Sequence, residues 1–474
     1  MANAFFCTFP RRTPPNGNRR IANNHEYASY PTINFNRLYA TENEEKYKCL
    51  INYFRKISAK REEDEGLVTF QRRCTPYESL PKWDTCQDTL TARLHIDAKG
   101  TIEDDGRGML QVDFANAFVG GGVLGRGCVQ EEIRFLISPE LIASRLFTER
   151  LGDNECLIVT GFERFSRYSG YASTFQFAGH FDDQTPIDPD SRHRLVRMVA
   201  MDALRMKQGS PDQYSRALLT RELNKAYIGF EKSAEEKDGA APTAAVATGN
   251  WGCGAFGGDP RLKALIQLMA ASVVGRDVAY FTFGDAKLRD DVARMHRFLV
   301  DKRVKIGALV HIIGDFARKR TGMGSDLYEH IENSVLSFEM ADDDDTSSAA
   351  SVVPRANIGG GGANDVEIVD AEKEMENAKK SLTAGVMKEA EPAPPKPEEE
   401  YVDCGELPKE EELLKVSKDD EEKGLEIVSK IDEIEKGEGS VKTKSVSEKE
   451  TPKFPSSSCK VRKQPNIKDF FKPR

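Results

Sequence analysis

The stretch "VDFANAFVGGGVLGRGCVQEEIRFLI", residues 112–137, joins a strand-like segment to a helix-like segment through a loop of glycines. It begins as an apolar strand and reaches three consecutive glycines at 120–122. Apolar residues then recur at helical spacing, at positions 129, 133, 136 and 137. The pattern predicts a strand, a glycine loop and a helix, with QEE (130–132) in the first turn of that helix.

The alternation of strands and helices continues along the chain to about residue 340. Apolar runs predict strands at 155–162 and 278–285, and 243–259 predicts a strand leading into a second glycine loop. Helical patterns occupy 36–57, 191–207, 259–275 and 288–302, the third with Asp259 as N-cap and Pro260 at the first helical position. We therefore predict an α/β fold with a largely parallel or mixed sheet that is flanked by helices on both faces. Because ligands bind such sheets at the carboxyl ends of strands, both glycine loops are expected at that edge.

The composition of the chain changes at about residue 341. Beyond that point the aromatic residues are Tyr401, Phe454, Phe470 and Phe471, and segments such as "EAEPAPPKPEEE" (389–400) dominate. Such a segment buries too little apolar surface to offset the entropy of ordering it. We expect a partly helical accessory region at 1–95, a core at 96–340 and a mostly disordered tail at 341–474. The net charge of −9 argues against a generally basic nucleic-acid binder.

The cysteines and histidines do not predict a metal site. The 9 cysteines are scattered without a CxxC pair, which favours a reducing compartment over a disulfide framework. The 7 histidines lack a metal-binding spacing such as HExxH, so we expect neither a metal nor another cofactor. No apolar run approaches the roughly 18 residues that span a bilayer, and the N-terminus lacks a signal-peptide layout. We expect a soluble, intracellular protein that does not bind membranes.

The glycine loops taken alone leave two interpretations open. Glycine lets a backbone approach a ligand closely and present N–H groups, and a following helix adds its positive N-terminal end, so both loops suit a phosphate. Glycine loops are also ordinary tight turns. The Walker spacing GxxxxGK[ST] is absent, and the loops taken alone name no particular ligand.

The adjacent glutamates, Glu131 and Glu132, are open to two interpretations as well. Successive helical residues point about 100° apart, so the two cannot flank one bond symmetrically and their roles should differ. One can serve as a general acid while the other binds a sugar hydroxyl. The alternative is that acidic residues in a first turn merely complement the helix dipole.

Several motifs, in order along the chain, resemble those of the poly(ADP-ribose) glycohydrolase family, whose mark is GGG, a short spacer and QEE. Besides the stretch quoted above they are "NAFFCTFPRR" (3–12), "YPTINFNRL" (30–38), "TRELNKAYIGF" (220–230), "AVATGNWGCGAFGGDPRLKALIQ" (245–267) and "VAYFTFGD" (278–285). The resemblance covers residue 3 to about residue 310 and implies a macrodomain with an N-terminal accessory helical region. It also implies hydrolysis of ribose–ribose O-glycosidic bonds in poly(ADP-ribose) on modified proteins, releasing ADP-ribose mainly from the chain end, without a cofactor.

The resemblance also implies roles for individual residues. Glu132 would protonate the departing ribose oxygen and then deprotonate the attacking water. Glu131 and Gln130 would hold ribose hydroxyls, with Asp113 and Asn116 in support. The other implied substrate-binding residues are Ile102 and Glu103 at the adenine, Tyr171 and Phe283 around the adenosine, and, at the diphosphate, Gly120, Gly121, Gly122, Gly249, Asn250, Gly252, Cys253, Gly254, Ala255 and Phe256.

Two alternative functions remain open: a macrodomain that binds ADP-ribose without cleaving it, and a chain whose chief function lies in its tail, with the enzyme activity incidental. The intact QEE favours the enzyme. The spacer departs from the family pattern by placing Arg126 in the loop, but the carboxylates stay in register, so we expect activity.

The end of the tail, "KQPNIKDFFKPR" (463–474), resembles the PIP box that docks on PCNA, the DNA sliding clamp. Gln464, Ile467, Phe470 and Phe471 fit Q-x-x-I-x-x-F-F. A helical turn would present the three apolar side chains as one plug, with Gln464 as the hydrogen-bonding anchor. We therefore expect a role in DNA repair and replication, a nuclear location with a cytoplasmic pool, and no sequence-specific nucleic-acid binding.

Overall fold

The computed structural model of the chain describes residues 29–31, 35, 38, 43–59, 66–239, 241–319 and 326–347. The motif at 3–12, much of the motif at 30–38, and the tail from residue 348 with its motif at 464–471 lie outside the described residues.

The centre of the fold is a seven-stranded mixed sheet. In chain order the strands are β1 (Thr69–Cys74), β2 (Leu94–Asp97), β3 (Leu110–Ala115), β4 (Glu155–Gly161), β5 (Ser166–Ser169), β6 (Gln176–His180), β7 (Arg194–Asp202), β8 (Val246–Gly249) and β9 (Val278–Phe281). The large sheet has the order β1-β4-β7-β3-β8-β9-β2, and β5 pairs with β6 in a separate ribbon. Strands β7, β3, β8, β9 and β2 are parallel neighbours, whereas β4 is antiparallel to β1 and β7. The predicted mixed sheet is confirmed.

Helices lie along most connections between the strands. They are α1 (Glu44–Ala59), α2 (Ile102–Asp105), α3 (Gln130–Ile137), α4 (Arg216–Phe230), α5 (Ala234–Lys237), α6 (Pro260–Val274), α7 (Ala286–Asp301), α8 (Ile306–Lys319) and α9 (Leu327–Ser347). Short 3₁₀ helices occupy Tyr77–Ser79, Trp83–Thr85, Pro139–Leu146, Ala172–Thr174 and Pro211–Tyr214. Asp259 caps α6 through hydrogen bonds from Arg261 N and Leu262 N, and Pro260 is its first residue, as predicted.

Alternate residues of the central strands face two different hydrophobic layers. Val199 and Met201 of β7 pack with α4, α6, α8 and α9, whereas Met198 and Ala200 pack with α1 and α3. A side-chain period of two in a strand requires this division, because successive side chains leave opposite faces of the sheet. The helices therefore cover both faces, and α1 and α3 share the same layer.

The prediction of a helix at 191–207 is wrong. Residues 194–202 form β7, which pairs with β3 on one side and β4 on the other. Leucine, methionine, arginine and alanine have good helix propensity, so the local pattern pointed to a helix. Burial on both faces within the sheet outweighs a propensity difference of tenths of a kcal/mol per residue, and the short run of consecutive buried residues at 198–202 is typical of a central strand.

Two predicted domain boundaries fall within secondary-structure elements. The predicted division at residues 95/96 falls inside β2, and β1 lies in the sheet, so the sheet draws strands from both sides of that division. The division into domains stays a prediction. Helix α9 continues to Ser347, past the predicted start of the tail at 341. Within the described part of the chain, no helix combines the length and hydropathy needed to cross a membrane.

Candidate active site

Both glycine loops leave the same edge of the sheet from neighbouring strands. The first follows β3 and the second follows β8, and these strands are adjacent and parallel. Their carboxyl ends therefore meet at one edge, as predicted. Phe114 of β3 lies close enough to β8 that a Cβ added to Gly249 would be 3.5 Å from its ring.

Strands β3 and β8 separate before they reach that edge. They pair only at Leu110 and Gln111, so the β8-facing groups of Val112 and Phe114 lack a strand partner. The side chain of Gln130, the first residue of α3, takes their place. Its Oε1 accepts from Phe114 N at 2.8 Å and its Nε2 donates to Val112 O at 3.1 Å. Gln130 thus anchors the start of α3 in the opening of the sheet, a structural use of the amide that the sequence did not predict.

The carboxyl groups of Glu131 and Glu132 are held by backbone N–H groups of the first loop. Glu131 accepts from Asn116 N at 2.9 Å and from Gly120 N at 2.6 Å. Glu132 accepts from Gly122 N at 2.8 Å and from Val129 N at 2.9 Å. The side chains are 3% and 7% exposed, respectively, so Glu132 is the more accessible of the pair. Each carboxyl group has a separate set of donors, which agrees with divided roles.

The three glycines of the first loop make room for these carboxyl groups. A Cβ on Gly121 would lie 2.5 Å from Glu132 Oε1 and 2.6 Å from Glu131 Oε2. Gly121 N donates to Phe118 O at 3.1 Å, so the N–H groups of all three glycines are used within the protein. The expected diphosphate cradle at Gly120, Gly121 and Gly122 therefore needs correction: in this structure their N–H groups serve the glutamates and the loop itself.

A buried cation supports the same loop from the side opposite the glutamates. Arg145, in the 3₁₀ helix Pro139–Leu146, donates from Nη1 to Val119 O at 2.9 Å and to Gly121 O at 3.1 Å. Those two carbonyl groups belong to the peptide units whose N–H groups, at Gly120 and Gly122, donate to the two glutamates. Hydrogen bonds joined through one peptide unit polarise each other, so Arg145 strengthens both donors.

Asp113 lies in β3 beside the glutamates and is fully buried. Among the described residues, neither of its carboxyl oxygens has a hydrogen-bond partner. Burial raises the pKa of Asp113 well above its usual range, Glu132 raises it further, and Arg134 opposes them. Burial also raises the pKa of Glu131, with Asp113 and Glu132 adding to it and the N–H groups of Asn116 and Gly120 opposing. Two of the three carboxyl groups thus favour the protonated form, which limits the negative charge in the site.

The second loop is the more open of the two. Its start is fixed, because Asn250 accepts from Tyr280 Oη at 3.1 Å and donates to Thr282 O at 3.2 Å. Further along, no residue in the described ranges accepts from the N–H groups of Gly254, Ala255 or Phe256. The chain turns just before these residues: Cys253 N donates to Asn250 O, and Gly252 has a φ of +74°. Free N–H groups on a turning backbone form an anion-binding concavity, so this loop suits a diphosphate.

A buried network of charges underlies the second loop. Asp202, the last residue of β7, accepts from Arg221 at 2.6 Å and from Lys225 at 2.8 Å. Lys263 of α6 pairs with Glu222 and lies 4.2 Å from the centre of the Trp251 ring. The sequence did not predict these supporting roles, although three of the charges lie within the quoted motif 220–230. The sequence signal that indicated them was the presence of charged residues at positions on the buried side of α4, because buried charges need partners.

Two predicted aromatic contacts, Tyr171 and Phe283, come together at the same edge. Their ring centroids are 4.7 Å apart, and Tyr171 Oη accepts from Gln130 N at 3.2 Å. Phe283 is 69% exposed and has a φ of +55°. An exposed aromatic ring in a conformation that costs of order 1–3 kcal/mol is typical of a ligand contact.

Ile102 and Glu103, predicted at the adenine, begin the short helix α2. Ile102 is buried against Phe114 and Phe281. Glu103 accepts a hydrogen bond from Tyr168 Oη. This segment therefore lies beside β3 and β9, while the Glu103 carboxyl group already has one protein partner.

The site as a whole combines a pair of carboxyl groups with a backbone loop that suits an anion. Glu131 and Glu132 lie at the start of α3, the loop 250–256 follows the neighbouring strand β8, and the rings of Tyr171 and Phe283 contact each other at the same edge of the sheet. The described residues contain no cluster of His, Cys, Asp or Glu that could hold a metal ion. This arrangement can bind a phosphate-bearing sugar and transfer a proton to it.

Comparison with protein families gives two matches. Residues 80–290 match the family model described as poly(ADP-ribose) glycohydrolase, macro domain fold. Residues 1–72 match the model described as poly(ADP-ribose) glycohydrolase, helical domain.

Solved structures add little to these matches. Poly(ADP-ribose) glycohydrolase of Thermomonospora curvata bound to the inhibitor ADP-HPD is 18% identical, with 43% of this chain and 79% of that chain covered and a TM-score of 0.27. The Deinococcus radiodurans enzyme in complex with ADP-ribose is 16% identical, with 46% and 87% covered and a TM-score of 0.26. An alphavirus P23pro-zbd structure is 10% identical, with 45% of this chain and 25% of that chain covered and a TM-score of 0.27.

Curated relatives are closer in sequence. Poly(ADP-ribose) glycohydrolase 1 of Arabidopsis thaliana is 34% identical over 399 residues, which cover 68% of each protein. Poly(ADP-ribose) glycohydrolase 2 of Caenorhabditis elegans is 36% identical over 280 residues, covering 57% of this chain and 56% of that protein. With both family models matched in order and a relative of this identity and coverage, the chain belongs to the poly(ADP-ribose) glycohydrolase family, glycoside hydrolases with a macrodomain core.

Proposed function

We propose that this chain hydrolyses the ribose–ribose O-glycosidic bonds of poly(ADP-ribose) and releases ADP-ribose. One observation carries the proposal: Glu132 is held by two backbone N–H groups at the sheet edge where the open loop 250–256 begins. Cleavage of a glycoside that bears a diphosphate needs both an acid and an anion-binding backbone within one cleft. Relatives named poly(ADP-ribose) glycohydrolases support this substrate.

The proposed mechanism uses one carboxyl group for both proton transfers. Glu132 donates its proton to the departing ribose oxygen as the glycosidic bond breaks, which leaves an oxocarbenium-like ribose. Water attacks that centre, and the Glu132 carboxylate takes the proton of the water, which restores the acid. Glycosidases that use two carboxyl groups place them on opposite sides of the sugar. Adjacent residues at the start of α3 do not meet that geometry, which favours a single acid and base.

Glu131 is proposed to bind a ribose hydroxyl. Each of its oxygens accepts one backbone N–H group, and the protonated carboxyl group keeps an O–H donor and a further acceptor site for a ribose hydroxyl. Asn116 supports the same sugar, because its side-chain NH₂ makes no hydrogen bond to the described residues while its Oδ1 accepts from Phe118 N. Asp113 of β3 lies close to Glu131 and Glu132.

The diphosphate and adenosine are assigned to the opposite part of the cleft. The N–H groups of residues 254–256 face the diphosphate, and Tyr171 with Phe283 contacts the adenosine. Ile102 and Glu103 are assigned to the adenine.

The test is whether purified full-length chain shortens poly(ADP-ribose) and releases monomeric ADP-ribose, resolved by chromatography. Release of the monomer is the expected result. Binding of the polymer without shortening contradicts the proposal and identifies a macrodomain that binds ADP-ribose without cleaving it.

We also propose that the chain acts on ADP-ribose in the DNA damage response and at replication sites, in the nucleus with a cytoplasmic pool. The support is the sequence 464–471, which resembles a PIP box and lies outside the described residues. Half of the tail's four aromatic residues fall in its last five positions, and a segment of this polar composition has too few apolar residues to form a core of its own.

The tail proposal predicts capture of the sliding clamp PCNA by a peptide of residues 455–474. Replacement of Phe470 and Phe471 by alanine removes two of the three apolar side chains of the plug, so we expect capture to fall at least about 10-fold, since one buried aromatic is worth more than about 1.4 kcal/mol. A pull-down with purified clamp measures this. Equal capture by both peptides contradicts the proposal.

A further inference from the structure

A buried lysine of α1 contacts the loop whose N–H groups hold Glu131 and Glu132. Lys46, on α1, has no exposed surface. Its Nζ donates to Val123 O at 3.2 Å, to Gly125 O at 2.7 Å and to Gly127 O. An ammonium group has three donors, and three carbonyl groups of one loop satisfy them all.

The loop contacts of Lys46 lead directly to Glu132. Gly125 N and Gly127 N both donate to Gly122 O, at 2.8 Å and 3.1 Å. Gly122 N in turn donates to Glu132 Oε1 at 2.8 Å. Gly127 also packs against that oxygen, because an added Cβ there would lie 2.6 Å from it. Lys46 therefore fixes the two residues that close the loop around the catalytic oxygen.

The position of Lys46 has an electrostatic cost, which its three hydrogen bonds to the loop offset. Burial lowers its pKa, while Cys128, Glu132 and Cys49 oppose that effect. A methionine at this position would fill the same space among Cys49 and Leu50 without burying a charge. A methionine would not provide the three hydrogen bonds that the Lys46 ammonium group donates to the loop carbonyl groups.

We propose that Lys46 is a positioning residue for catalysis, through which the N-terminal helix holds the loop 122–129 in the shape that orients Glu132. This inference rests on the proposed function for the role of Glu132. Helix α1 would then contribute to catalysis through the loop, without itself contacting the substrate.

A matched control lies on the same helix. Lys56 also ties α1 to the core, through an ion pair with Glu163 at 2.8 Å and a contact with Phe181 O at 3.5 Å. Neither partner belongs to the catalytic loop. Lys46→Met and Lys56→Met therefore make the same chemical change and weaken the same helix, but only the first releases the loop.

The experiment compares both variants with the wild-type chain in two measurements. Hydrogen exchange of the peptide covering residues 120–129 is expected to be faster in Lys46→Met and unchanged in Lys56→Met. With poly(ADP-ribose), kcat of Lys46→Met should fall about 100-fold, the size expected for displacement of a catalytic group by about 1 Å, while Kd for ADP-ribose stays near the wild-type value. Lys46→Arg, which keeps a charged donor, should recover part of both losses.

Three outcomes overturn the proposal: unchanged exchange and kcat in Lys46→Met, equal losses in Lys46→Met and Lys56→Met, or no recovery in Lys46→Arg. If Lys46→Met does not fold, the pair Lys46→Gln and Lys56→Gln replaces it, with the same expectations. A wild-type chain that does not shorten the polymer contradicts the proposed function, and the exchange comparison then still decides whether Lys46 holds the loop.

Discussion

Replacement of Glu132 by glutamine is expected to lower kcat on poly(ADP-ribose) by about 10²- to 10⁴-fold, the range for a positioned general acid and base. The amide cannot give a proton to the departing ribose oxygen or take one from water. Binding of ADP-ribose should persist, because the open loop at 250–256 and the pair Tyr171 and Phe283 are untouched. Single-turnover release of ADP-ribose and calorimetric binding measure the two quantities separately.

The glutamine variant also changes one hydrogen bond in the folded chain. Glu132 accepts from both Gly122 N and Val129 N, so the NH₂ group of glutamine must face one of these donors. One contact is lost, and we expect the free energy of unfolding to fall by about 1–3 kcal/mol. Thermal unfolding must therefore show that the variant is folded at the assay temperature.

Glu140→Gln is the matched control for this change. Glu140 also accepts a backbone N–H group, from Glu163 at 2.8 Å, but it lies in the 3₁₀ helix beyond α3. Its kcat should equal that of the wild-type chain. Undiminished turnover in Glu132→Gln would show that another group moves the proton and would remove the assignment.

The edge position of the site could be predicted from the sequence because it follows from general rules. Residues 112–137 carry strand, glycine and helix signals in series, and 243–259 repeats the strand and loop. Parallel strands end at one edge, so two such loops must meet there. The place of Glu131 and Glu132 in the first turn of α3 follows from the same spacing.

The contacts that hold the loop could not be predicted, because they join residues remote in the chain. Lys46 and Gly127 are 81 positions apart, and no local pattern encodes their pairing. The spacing does place Lys46 on the same helix face as Cys49 and Leu50, which predicts a buried lysine but not its partners. The use of the glycine N–H groups by Glu131 and Glu132 likewise needs the folded loop. A glycine triplet alone suits a phosphate equally well.

The contact between Gly121 and the two carboxyl groups leads to the second large effect. Gly121 has a φ of +44°, and an added Cβ would lie 2.5 Å from Glu132 Oε1 and 2.6 Å from Glu131 Oε2. Contacts this short are not tolerated, and both carboxyl groups are already tied to the loop by four N–H donors. An alanine at this position must therefore push both groups out of their hydrogen bonds or open the loop.

Gly121→Ala should accordingly lower kcat by about 100-fold or more, since a displacement of about 1 Å in a catalytic group has that effect. Overpacking should also lower the free energy of unfolding by about 1–3 kcal/mol. Gly239→Ala separates sterics from backbone strain, because Gly239 has a φ of +74° but nothing within 4 Å of an added Cβ. That control should lose about 1–2 kcal/mol from the left-handed conformation and keep the wild-type kcat. Equal turnover by Gly121→Ala and Gly239→Ala would contradict this prediction. It would show that the absence of a side chain at Gly121 does not determine the position of Glu132, and that another contact does.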